Sequence, residues 1–222
     1  MERTLRVTGS GKVSVKPDTT RIIMTVEGKE KDYCDALRAS SEMTEDLKKT
    51  LEPFGFERKS VRTLHFDVET VYENYRDRNN DYRQRFKGYR FSHRLKLEFP
   101  SDNELLGRLL YALAHCEAKP ELRFEYAVRD PEPVRNELLA RAVADSRAKA
   151  AVLSAAAGVS LGEILTVDYS WGEIDFVTRP MNDLDFKMAC CEPADACPSY
   201  DLDVEADEIE HSDHVTVVWR IA

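Results

Sequence analysis

Between Tyr89 and Phe99 the chain alternates: Tyr89, Phe91, Leu95, Leu97 and Phe99 fall on one side of an extended backbone, and Arg90, Ser92, Arg94, Lys96 and Glu98 on the other. Successive side chains of a strand point to opposite faces, so this pattern describes a strand with one dry and one wet face. Sheets of that kind are antiparallel, because parallel sheets are covered on both faces.

The same period recurs through Leu64, Phe66 and Val68 in Val61 to Tyr72, through Leu122, Phe124, Tyr126 and Val128, and through Val215, Val217, Trp219 and Ile221. Thr19 to Glu27 is a strand apolar in part on both sides, and Ile164 to Trp171 is another. Thr4 to Thr8 and Lys12 to Lys16 are short β-prone pieces. Gly9, Ser10 and Gly11 between them predict a turn or bulge, since glycine accepts positive φ. The polar stretch from Asn74 to Gly88 interrupts the alternation and is expected to be the connecting loop of a long hairpin.

Three stretches carry helical spacing. Tyr33, Ala36, Leu37, Ser40, Met43, Leu47 and Leu51 repeat up to a stop at Pro53 and Gly55, with Asp32 as the N-cap. Leu105, Leu106, Leu109, Leu110 and Leu113 define a helix within Asp102 to Cys116. Asp130-Pro131-Glu132-Pro133 starts the longest helix, because a proline in the first turn lacks only an N–H that would go unpaired, and Gly158 ends it. The fold class is therefore α+β, mainly antiparallel strands with amphipathic helices packed on them, in the approximate order β-β-α-β-β-α-β-α-β-β. A single domain is expected over residues 1–222.

Charge is distributed unevenly. Of the formal charge of −9, the segment from Gly172 to Asp213 carries thirteen acidic residues against Arg179 and Lys187, so the rest of the chain is slightly basic. Residues 172–212 read as an acidic, Cys-containing insertion, since so long a structureless connection is unusual in a compact domain. The overall acidity disfavours nucleic acid, whose phosphates reward clustered Lys and Arg. No apolar run approaches the ~20 residues of a spanning helix, so no membrane span is expected. The amino terminus enters strand-like sequence without the apolar stretch of a signal peptide, which predicts a cytoplasmic protein; removal of a leader would instead make it an envelope or secreted one. Five cysteines, an odd number at irregular spacing, imply no disulfide framework.

The segment Val7-Thr8-Gly9-Ser10-Gly11-Lys12-Val13-Ser14-Val15-Lys16-Pro17-Asp18 resembles the opening of the SIMPL domain family, V-T-G-x-G-x-V-x-V-x-P-D. The Gly88-Tyr89 pair and the Ala-rich helix leading to Gly158-Val159-Ser160-Leu161-Gly162 are similar to it as well. That family includes bacterial periplasmic immunogenic proteins. The resemblance implies an α+β domain, self-assembly, loose association with stress responses or protein partners, and no accepted catalytic residues.

Candidate sites are few. A phosphate cradle at Gly9 to Gly11 would need a helix to follow the glycines, and a strand follows instead. Cys190, Cys191, Cys197, His211 and His214 could ligate zinc or another divalent ion, but they lack paired C-x-x-C or helical H-x-x-x-H spacing and read better as a solvated loop. Asp201, Asp203, Glu205, Asp207 and Glu208 likewise read as a solvated charge run, without the calcium loop's glycine. Tyr75, Arg76, Arg78, Tyr82, Arg83, Arg85 and Phe86, with Lys87 and Tyr89, interleave aromatic rings and cations; they read as an exposed hairpin tip or as a contact for a second subunit or partner. His65 and His93 lie within strand patterns with no nucleophile motif, and a pocket joining either to a carboxylate would be needed for an enzyme. The expected function is a non-enzymatic, self-assembling protein with surfaces for protein partners and no cofactor. The alternatives are a small-ligand or divalent-metal module built on the acidic insertion, and an enzyme of unrecognised type.

Overall fold

The computed structural model of the protein describes residues 3–76, 82–169, 176–178 and 206–222. Its elements, in chain order, are β1 (Thr4–Val15), β2 (Thr19–Glu30), α1 (Tyr33–Leu51), β3 (Arg62–Arg76), β4 (Tyr82–Pro100), α2 (Asn103–Ala114), β5 (Glu121–Ala127), α3 (Glu132–Ala156), β6 (Leu161–Asp168), β7 (Val177–Thr178) and β8 (Ile209–Ile221). The α+β class and the order of elements agree with the sequence pattern, with the two-residue β7 added. The final strand begins at Ile209, inside the segment read as an insertion. No helix among the described residues is long and apolar enough to cross a membrane.

The chain divides into two compact units. The first gathers the described residues of Met1–Asp18, Ala127–Thr178 and Ala206–Ala222. Its three-stranded sheet has the order β1-β8-β6, and both pairings are antiparallel. Gly9, Ser10 and Gly11 do not make a turn: β1 runs unbroken from Thr4 to Val15 in continuous register with β8, and neither glycine has a positive φ.

Their role comes from α3. Leu138, Ala142, Ser146, Ala150 and Ser154 repeat every four residues and form its buried face. Mostly small side chains let the helix lie close on β1. A Cβ at Gly9 would stand 2.0 Å from the Ala142 carbonyl oxygen and 2.4 Å from the Ser146 nitrogen; one at Gly11 would stand 2.1 Å from the Leu138 carbonyl oxygen. The glycines are thus sites of close backbone approach. Polar groups of α3 also satisfy β1 on the edge away from β8: Arg141 Nη1 donates to the Lys12 carbonyl at 2.7 Å, and Asp145 accepts from the Ser10 N–H at 2.7 Å. An edge occupied in this way offers no template for another strand.

The second unit comprises the described residues of Thr19–Tyr126. Its strands follow the order β3-β4-β2-β5, with β3 on β4 and β4 on β2 antiparallel. Ile22, Met24 and Val26 of β2 and Phe91, Leu95, Leu97 and Phe99 of β4 are buried, and α1 packs on these two strands. Asp32 occupies the N-cap position of α1 but makes no side-chain cap bond, whereas Asp102 caps α2 by accepting the Leu105 N–H at 3.0 Å.

Of the stretch from Asn74 to Gly88, the described residues on either side of 77–81 are strand rather than loop. Strand β3 continues to Arg76 and β4 starts at Tyr82, with Tyr72 opposite Phe86 and Arg76 opposite Tyr82. Strand β2 ends its pairing with β4 at Glu30 and Tyr89. At that point Gly88, with φ of 136°, lies where a Cβ would meet the Glu30 carbonyl oxygen at 2.2 Å. The register with β3 shifts at the same place, leaving Lys87 as the extra residue of a bulge. Beyond it β3 and β4 continue as a two-stranded arm.

Candidate functional site

Two places on the second unit concentrate chemistry: the arm and a cleft beneath α1. On the arm, cross-strand neighbours share a face. Tyr72, Phe86, Arg76 and Tyr82 lie on one face; Glu73, Tyr75, Arg83 and Arg85 lie on the other. The Tyr72 and Phe86 rings meet edge to face at 5.8 Å, and the Arg76 guanidinium stands 4.6 Å over the Tyr82 ring. Tyr82 is 75% exposed and Tyr72 54% exposed. The interleaved residues Tyr75, Arg76, Tyr82, Arg83, Arg85 and Phe86 therefore all sit on this arm, divided between its faces, while Arg78 lies outside the described residues.

The cleft has a volume of about 390 Å³ and is lined from α1 by Leu37, Ser40, Ser41, Thr44, Glu45 and Lys48, and from the sheet by Thr63, Phe66 and His93. A bulge makes it. Thr63 pairs with Leu95 and Phe66 with His93, so Leu64 is an extra residue that brings Thr63 and Phe66, three positions apart, to the same face. His65 pairs with Arg94 and faces the other way.

Every ring nitrogen of His93 is engaged. Nδ1 lies 3.3 Å from Ser40 Oγ and 3.1 Å from Thr44 Oγ1, and Nε2 lies 2.9 Å from Thr63 Oγ1. Thr44 Oγ1 lies 2.8 Å from the Ser40 carbonyl, and a hydroxyl that gives its one hydrogen there accepts toward His93. This arrangement favours the tautomer with the proton on Nδ1, in which Nε2 accepts from Thr63. Burial, with the Lys48 ammonium adding to it, pushes the His93 pKa below its ordinary value and favours the neutral ring.

This cleft joins His93 to a carboxylate, the condition for an enzyme, yet its bonds are not those of a catalytic pair. Glu45 is engaged with Lys48 at 3.2 Å and with Arg58, while hydroxyls orient the imidazole. Ser40, the hydroxyl that would serve as nucleophile, is 1% exposed. The signal for His93 was present in the alternation: at position 93 a polar residue stands on the apolar side of β4.

The linkage has a definite sign. In the unfolded chain His93 titrates near 6.5, and in the folded protein lower. Between those values the unfolded state holds more protons, so this contribution is complete above about pH 6.5 and is lost as pH falls through the window. Urea midpoints of the native protein are expected to fall more between pH 7 and 5.5 than those of His93→Gln; parallel curves would contradict this.

Of the proposed metal ligands, Cys190, Cys191 and Cys197 lie outside the described residues, as do Asp201, Asp203 and Glu205. His211 and His214 are three apart on β8 and so face opposite sides, and the His211 ring meets Phe176 at 4.7 Å.

Comparison with known proteins adds a family and relatives. The SIMPL family, described as a protein of unknown function (DUF541), matches residues 5–219. Two curated relatives, from Brucella abortus (strain S19) and Brucella melitensis biotype 1, each bear the name 26 kDa periplasmic immunogenic protein. Each is 26% identical over 220 residues, covering 98% of this chain and 84% of its own length. The periplasmic naming of these relatives overturns the expectation of a cytoplasmic protein.

Proposed function

The chain belongs to the SIMPL family, and on that premise we propose that it is a non-enzymatic, self-assembling protein whose β3–β4 arm contacts a second copy or another protein. The arm carries this reading. A two-stranded ribbon alone in water is marginally stable, and this one displays Tyr72, Tyr82 and Phe86 beyond the last residue of β2. Strand β3 also occupies the end of its sheet, where an incoming strand can pair. With Arg76, Arg83, Arg85 and Lys87 against Glu73, the described arm is cationic. It complements the acidic 172–212 stretch of a second copy, an attraction that salt would weaken.

The engaged nitrogens of His93 and the buried Ser40 support the non-enzymatic part. The periplasmic names of the relatives support a place in the cell envelope. A stress-related setting is what family resemblance adds.

Replacing Tyr72, Tyr82 and Phe86 together by serine is expected to shift the particle toward the monomer in sedimentation velocity, with little change in urea midpoint because the rings lie outside the buried core. Unchanged sedimentation would contradict the assignment of the contact to the arm.

A further inference from the structure

The cleft under α1 does not enter the assembly account, and its parts fit a ligand. Its volume of about 390 Å³ lies within the range of small-molecule sites. Two of its walls are apolar side chains left open, Leu37 at 38% and Phe66 at 41% exposure. Its polar floor is narrow in what it can recognise. With the proton on Nδ1, the His93 Nε2 lone pair is the acceptor, and its partner Thr63 is an exposed residue whose hydroxyl can be displaced. That lone pair calls for a hydrogen donor, which an ionised carboxylate cannot supply. At the rim Lys48 is already paired with Glu45.

We propose that this cleft binds a small hydroxylated aromatic molecule, its hydroxyl donating to His93 Nε2 and its ring lying between Leu37 and Phe66. The bulge at Leu64 is what places the Thr63 hydroxyl and the Phe66 ring together beside the donor-seeking nitrogen of His93. The Phe66 ring already meets the His93 ring edge to face at 5.0 Å, leaving aromatic surface for a second such contact. A neutral His93 is required, so binding weakens as the ring protonates in acid.

The full chain, labelled with ¹⁵N-histidine, is titrated with p-cresol and, in parallel, with toluene. The expected result is a saturable shift of His93 Nε2 with p-cresol, with Nδ1 keeping its proton, and no such shift with toluene. Thr63→Val, an exposed substitution, removes the internal donor that the ligand must displace and is expected to tighten p-cresol binding about fivefold. Phe66→Ala is expected to weaken it by about the same factor. Equal responses to p-cresol and toluene, or no response at His93 in both the native protein and folded Thr63→Val, would overturn the proposal. Since the readout is at His93, it stands or falls apart from self-assembly.

Discussion

Gly9→Ala is expected to destabilise the protein by about 3 kcal/mol, the upper end of ordinary overpacking costs. The reason is the identity of the obstructing atoms. The new methyl group would meet the Ala142 carbonyl oxygen and the Ser146 nitrogen, both helix backbone, at 2.0 and 2.4 Å. A flexible side chain could rotate away from it, but α3 would have to lift from β1. Such a shift would strain the bonds that join them, Arg141 to the Lys12 carbonyl and Asp145 to the Ser10 N–H. Gly11→Ala should behave alike, since Leu138 presents its carbonyl oxygen at 2.1 Å.

Gly55 supplies the contrast. It has φ of 84° and open space around it, so alanine there costs only the left-handed penalty, about 1 kcal/mol. Urea denaturation of the three variants separates lack of a side chain from freedom of φ. Equal losses at Gly9 and Gly55 would contradict close approach as the role of the first.

Arg21→Met is expected to cost about 2 kcal/mol, less than the ~3–5 kcal/mol of a fully buried pair because the Arg21 side chain is itself 27% exposed. The sheet order puts β2 between β4 and β5, and Arg21 accordingly reaches Glu98 at 2.8 Å and Glu125 at 3.4 Å. Glu125 is 4% exposed, so removing the guanidinium leaves a carboxylate buried without that countercharge. Glu125→Gln, which removes the charge and keeps the shape, should cost less. A second readout is available at Glu98. Burial raises its carboxyl pKa, but Arg21 and Lys96 more than offset this and hold it below its ordinary value; in Arg21→Met it should titrate higher. Equal stability of Arg21→Met and the native protein would show that water reaches Glu125.

These effects also mark what the sequence could and could not convey. Strand β4 was legible because it has a dry face and a wet one, β5 because apolar and charged residues alternate along it, β2 because its β-prone residues run on without a break, and α2 because its leucines repeat at helical spacing. A ribbon with no core beneath it has no inward face, so the sequence from Asn74 to Gly88 shows no apolar alternation and resembles a loop. In the sequence Gly9 and Gly11 signal backbone freedom. Their other property, the absence of a side chain, matters only because α3, more than 120 residues later in the chain, lies against them. That helix buries alanine and serine as well as leucine, which leaves a faint apolar stripe, while its start at Asp130-Pro131 and its end at Gly158 were plain.

The cleft was hidden for a related reason. His93 stands on β4, but its partners come from α1 at Ser40 and Thr44 and from β3 at Thr63, each about 30 or more residues away. A bulge at Leu64 then reverses which face Thr63 occupies relative to Phe66. Alternation gives faces only where register is unbroken, so Thr63 and Phe66 could not be assigned to one space from spacing.

Self-assembly is the central claim, and light scattering coupled to size exclusion tests it most directly. Across a wide concentration range at moderate salt, the native protein is expected to elute as a particle whose mass is two or more times 25.4 kDa. A single species of 25.4 kDa at every concentration would contradict the claim.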